Sequence, residues 1–253
     1  MQILIRLSAA WALLLVILYP ALANGQNPAP VERLTYEVQE GDRTPLLTRI
    51  WVSAEMMRED NGDDGGYVLF DRRDKTVYSI NRDEHTVLIV PLAGKRATLT
   101  GAPQLNLLQL PGGQAPEISG RKPQHWQLRL GDQICQEGWV VPGLMRESVE
   151  AMSEYRSALA RQHRLTLDLI PEAYRDLCDD AVQVFAPTAL LDKGLPLESW
   201  DAKGVVWRLT GYEIVEDVPQ ALFERPEDYE VMTMPGQVMP QSSAPAPASI
   251  PAE

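Results

Sequence analysis

Residues 33–234 of this chain predict an α+β domain: a curved antiparallel sheet with helices against one face. Three observations lead there. From Leu34 to Val90, short segments rich in β-branched and aromatic residues recur about every ten residues between polar turns, the pattern of a meander. A period of three and four residues then takes over from Val149 to Leu159, which marks a helix. Strand-like alternation returns at Leu195 and lasts to Ile214.

In order, Leu34, Tyr36 and Val38 alternate with polar residues and predict a first strand, which Gly41-Asp42 turns back. Residues 47–54 predict a second, apolar on both faces at Ile50, Trp51 and Val52, and residues 56–59 continue it or form the next one. Residues 60–66 are too rich in Gly, Asn and Asp for a regular element. Strands at 67–70, 76–80 and 86–90 follow, divided by the polar runs 71–75 and 81–85. Residues 91–123, interrupted by Gly94, Gly101, Pro103, Pro111, Gly112, Gly113 and Pro116, predict a long excursion with a short helix near 105–110. The sheet resumes at 126–130, turns at Gly131-Asp132 and runs on through 134–141.

Val149, Met152, Tyr155 and Leu159 share one face of a helix of about 18 residues. The spacing of Leu165, Leu167 and Leu169 predicts that this helix has ended. Pro171 with Glu172 behind it predicts a second helix start, carrying an apolar stripe of Ala173, Tyr174, Leu177, Cys178, Ala181 and Val182. Residues 188–193 predict one more helical turn, capped by Thr188 and followed by Gly194. A last hairpin joins 195–200 to 205–214, and the folded part closes over 222–229.

The ends read differently. Residues 1–23 carry one positive charge at Arg6, an uninterrupted apolar run at 9–19, and Ala21-Leu22-Ala23 as an A-x-A cleavage site. That order is a secretory signal peptide, and the run is too short for a membrane span of about 20 residues. Cleavage after Ala23 is expected, which makes the mature protein periplasmic, with no integral span. Residues 24–32 predict a flexible lead, and 235–253, rich in Pro, Ala and Ser, a disordered tail that acts as a spacer.

Export makes the cysteine count informative. Cys135 and Cys178 are the two cysteines, and an even pair in an oxidising compartment predicts a structural disulfide. The rival readings, a metal pair or a redox-active pair, find neither a C-x-x-C spacing nor a histidine beside either cysteine. The formal net charge of −12 argues against nucleic acid and anionic membrane surfaces as general partners.

No hydrolase signature of the G-x-S-x-G, S-x-x-K or H-E-x-x-H type occurs, and the chain reads as non-enzymatic. His85, His125 and His163 show no metal-ligand spacing, so no metal and no cofactor is expected. The loop from Asp60 to Gly66 invites a calcium reading, but counted from Asp60 it has Gly62 where an EF-hand needs an oxygen ligand and Asp71 where it needs a glutamate. A hairpin turn with solvated charges is the simpler reading.

Three stretches carry a resemblance. Met57-Arg58 precedes two strands that end in Val77-Tyr78-Ser79-Ile80 and Thr86-Val87-Leu88-Ile89-Val90. Cys135 leads through Gln136-Glu137-Gly138 into Trp139-Val140-Val141-Pro142. Gly194-Leu195-Pro196-Leu197-Glu198 is followed by a closing segment with Leu222-Phe223, Pro226 and Tyr229. Together they resemble an exported family of unknown function within or beside the periplasmic lipoprotein carriers, the LolA/LppX-like half-barrels. The resemblance implies a half-barrel with helices packed on its concave face, and a cavity there able to hold a lipophilic small molecule or an apolar segment of an envelope lipoprotein or other envelope protein. Trp51, Met56, Met57, Trp139, Met152 and Tyr155 are the candidate lining residues, since such a cavity uses large apolar side chains with few polar groups. The alternative is an interaction or scaffold module of the cell envelope without carrier activity.

Overall fold

The computed structural model describes residues 30–62, 65–91, 103–111, 115–167 and 169–233. The stretch read as a signal peptide with its expected cleavage site, nearly all of the expected lead, the Asp63-Asp64 part of the acidic loop and the Pro/Ala/Ser-rich end lie outside the described residues. Twelve strands form one curved, unclosed sheet: β1 (Val31–Glu40), β2 (Leu46–Val52), β3 (Met56–Asn61), β4 (Gly66–Asp71), β5 (Thr76–Asn81), β6 (Thr86–Pro91), β7 (Leu105–Gln109), β8 (Gln124–Leu130), β9 (Gln133–Val141), β10 (Leu195–Asp201), β11 (Val205–Val215) and β12 (Glu230–Thr233). Their order across the sheet is β12-β6-β5-β4-β3-β2-β1-β11-β10-β9-β8-β7. Every neighbouring pair is antiparallel except β12, which lies parallel to β6. The α+β half-barrel expected from the sequence is the fold observed.

Period-two alternation sorts each strand between the two faces. On the inner face Leu34, Ile50, Val52, Met57, Phe70 and Val77 are buried in one core with Ala151, Met152 and Ala158 of the long helix α1 (Arg146–Leu167). The outer face over β3–β6 has its own apolar cluster of Tyr67, Leu69, Ile80, Val87 and Ile89. The C-terminal segment covers it before entering β12. Arg58 on that face donates to the Leu222 carbonyl at 2.9 Å and pairs with Asp60, and its guanidinium lies 3.7 Å from the Tyr67 ring centroid.

Polar contacts hold α1 to the sheet at its start. The backbone N–H and hydroxyl of Ser148 both donate to the Glu32 carboxylate of β1 at 2.7 Å, so a sheet residue satisfies a first-turn amide and complements the helix dipole. Arg72, in the β4–β5 turn and 8% exposed, donates to the carbonyls of Ser53 and Ala54 and pairs with Glu147 and Glu154 of α1. Lys75 adds a second cation to Glu154 at 3.0 Å.

Four expectations are corrected. Residues 105–109 are a strand, not a helix, because Leu105 and Leu107 fall at strand spacing and pack beside Leu128 and Leu130. Helix α1 runs on to Leu167: Leu167 lies seven residues after the buried Ala160 and on the same face, and Arg175 donates to the Leu167 and Ile170 carbonyls. No continuous helix starts at Pro171. One 3-10 turn (Glu172–Tyr174) is followed by Asp176, whose carboxylate accepts from the Cys178 and Asp179 amides and starts α2 (Leu177–Asp180) afresh. Tyr174 and Leu177, expected in a buried stripe, are 82% and 54% exposed. Finally, the first strand begins at Val31, inside the stretch read as a flexible lead.

The two cysteines form the expected disulfide, with Cα atoms 4.8 Å apart. It joins β9 to α2, and Leu128, Ala181, Val182 and Ala189 bury it. After α2 the backbone widens into a π-turn (Ala181–Phe185), and Arg164 of α1 donates to its Val184 carbonyl at 2.8 Å. Among the described residues no helix is long and apolar enough to cross a membrane.

Candidate functional site

The sheet, α1 and the disulfide-tethered segment line a partly open cavity of about 260 Å³. Strands β1, β2 and β3 supply Tyr36, Ile50, Met57 and Glu59 to it, and β10 and β11 supply Pro196, Ser199 and Trp207. Helix α1 lowers Met152, Tyr155, Arg156 and Leu159 onto the other side, and the π-turn with its sequel adds Val182, Leu190 and Leu191. Met152, Tyr155, Arg156 and Leu159 stand at steps of three, four and seven, which is one helical face. The wall opposite is built by pleat parity, since Met57 pairs with Phe70 and Glu59 with Val68 on the inner face. On the other side, Gly138 of β9 lets β10 and Leu190 approach closely. A Cβ there would come within 2.7 Å of the Glu198 carbonyl oxygen and 3.0 Å of Leu190 Cδ1.

Of the six candidate lining residues, the structure brings together Met57, Met152 and Tyr155. The other three point elsewhere because of the same pleat. Trp51 lies between the buried Ile50 and Val52 and so faces outward, with the Arg33 guanidinium 4.9 Å from its ring centroid. Met56 packs against the outer cluster of Tyr67, Leu69 and Ile80. Trp139 stacks on His125 at 4.5 Å, and His125 Nε2 lies 2.6 Å from Glu137 Oε1. Sequence reasoning missed Tyr36, Glu59, Arg156 and Trp207 as lining residues. Two signals would have found the charged pair: Glu59 follows Met57 by two in a strand, and Arg156 follows Met152 by four in a helix.

The cavity is mixed: apolar side chains on both walls alternate with the polar groups of Tyr36, Glu59, Gln136, Arg156, Gln183, Ser199 and Asp201. Burial pushes the phenols of Tyr36 and Tyr155 well above their ordinary range, partly offset for both by the nearby charge of Arg156. Tyr36 donates its hydroxyl proton to the Pro196 carbonyl at 2.9 Å. Burial also raises Glu59 above the usual carboxylate range, against the opposing pull of Arg156 and a hydrogen bond from Asn61. Asp201 at the rim is engaged by the amides of Lys203 and Val205. Arg156, by contrast, takes part in no hydrogen bond or ion pair among the described residues. Chemically, the arrangement offers apolar surface from both walls together with several hydrogen-bonding and charged side chains. Among the described residues no three of His, Cys, Asp and Glu are grouped as a metal site.

No protein-family model matches the chain, and no curated protein matches it. Among solved structures it is similar to an uncharacterized conserved protein from Thermus thermophilus, with a TM-score of 0.43 and 13% identity over 81% of this chain and 90% of that one. It is also similar to PNGF-II, with a TM-score of 0.39 and 11% identity over 81% of this chain and 31% of that one. A third is MucB, with a TM-score of 0.36 and 12% identity over 81% of this chain, which spans 60% of MucB.

Proposed function

We propose that the chain is a non-enzymatic binding protein of the periplasm that holds a lipophilic ligand, or an apolar segment of an envelope protein, between its sheet and its helices. The observation that carries this reading is the cavity of about 260 Å³ under α1, walled by Ile50, Met57, Met152, Leu159, Val182, Leu191 and Trp207. Removing an apolar group of this size from water contributes roughly 25 cal/mol per Å² of apolar area, and the walls that receive it are already in place. The secretory pattern of residues 1–23 supports the location. Helix α1, anchored by Glu32 and Arg72, and the segment anchored by the disulfide serve as the cover.

Native mass spectrometry and solvent extraction of the full chain, purified from a periplasmic fraction, test the reading. A co-purifying lipophilic molecule, or saturable uptake of one added afterwards, is expected. Protein that carries nothing and takes up nothing contradicts it.

A further inference from the structure

Resting on that reading, the geometry points to a narrower ligand class: a single-chain amphiphile with an anionic head, the head held by Arg156 and the chain laid along the apolar walls. Size sets the chain number. Ligand pockets span about 300–1,000 Å³, and a cavity of about 260 Å³ falls just below that range. It suits one acyl chain and not a two- or three-chain lipid.

Charge sets the head. Three charged side chains line the cavity: Glu59, Arg156 and Asp201. Asp201 is occupied at its turn by the amides of Lys203 and Val205. Glu59 is set into the wall, where burial raises its carboxyl and so weakens its repulsion of an anion, although Arg156 pulls the other way. Arg156 is left with its donors uncommitted among the described residues, on the cavity-facing stripe between Met152 and Leu159. A guanidinium in an apolar wall is costly unless paired, and its planar fork matches a carboxylate or phosphate. A ligand that brings its own anion therefore gives Arg156 the direct hydrogen-bonding partner it lacks among the described residues, whereas a neutral or cationic head does not.

Dodecanoate, dodecanol and dodecyltrimethylammonium share a chain and differ in head charge. Their affinities for the full-length protein, measured by displacement of a fluorescent fatty-alcohol probe at neutral pH, separate the possibilities. A charge-assisted hydrogen bond contributes roughly tenfold or more, so dodecanoate is expected to bind at least tenfold more tightly than dodecanol, and the ammonium most weakly. Arg156→Met, which keeps an unbranched side chain, should abolish the carboxylate preference, and a cooperative melt shows that the variant is folded. Dodecyl phosphate in the same series distinguishes a phosphate-headed ligand from a carboxylate-headed one, and either preference over dodecanol supports the inference. Equal binding of dodecanoate and dodecanol, or a preference that survives Arg156→Met, overturns the anionic head and leaves the lipophilic reading standing. Failure of every chain to bind overturns both.

Discussion

At the residue scale, three side chains convert the fold into measurable behaviour. Glu59 holds its proton more firmly in the folded chain than in the unfolded one, because burial disfavours the carboxylate. A raised carboxyl contributes stability that is full below the unfolded value and is lost as pH rises towards the folded value. Glu59→Gln removes that loss. The variant is expected to gain thermal stability over the parent at pH 7–8 and to show little difference below about pH 4, read by melting across a pH series. Glu154 has the opposite sign. Burial opposes its ionisation, but hydrogen bonds and charge from Arg72 and Lys75 prevail and hold it below the ordinary range. Its contribution is present above that range and fades as pH falls through the lowered value. Arg72 gathers both carboxylates and two backbone carbonyls. Arg72→Met should cost about 2–3 kcal/mol in urea denaturation, with the partly exposed glutamates discounted for solvent screening.

At the element scale, the cover over the sheet depends on attachments more than on helix propensity. Segment 169–185 has one short α-helix, one 3-10 turn and one π-turn, with Leu169 78% exposed and Tyr174 82% exposed. The disulfide to β9 supplies the fixed point. Replacing Cys135 and Cys178 with serine is expected to cost roughly 2–4 kcal/mol. Amide exchange should rise first in residues 177–190, while the β1–β6 amides keep their protection. Uniform loosening of the whole sheet would show that the bridge braces the core and not the cover. Strands were legible in the sequence wherever one face is apolar and turns are polar, as at β4, β5 and β6. Residues 105–109 were misread because five residues with three leucines satisfy both periods. Pairing with β8 decided between them. Helix α1 outruns its expected end because the group that caps it is distant in sequence. Arg175, eight residues beyond Leu167, donates to its last carbonyl.

At the scale of the whole molecule, two sheet edges stay apart and the inner face is roofed by α1, so the half-barrel encloses a space instead of collapsing on itself. The architecture was legible because strand and helix periods occupy separate stretches of chain. The site was only half legible. Large apolar residues were chosen by type, and type does not say which face of the pleat a residue takes. Trp51, Met56 and Trp139 follow parity to the outside, while Glu59 and Arg156, of the wrong type, follow it in. Parity also says where to block the site. Leu159 faces the cavity from α1 between the buried Ala158 and Ala160, so Leu159→Trp should fill the space at a cost of about 1–3 kcal/mol in stability.

That variant gives the most direct test of the central claim. A fluorescent single-chain fatty acid is titrated into the parent and into Leu159→Trp, each first shown to melt cooperatively. Saturable, one-to-one binding by the parent and at least a tenfold loss of affinity in the filled variant are expected. Equal binding by the two proteins, or none by either, would contradict it.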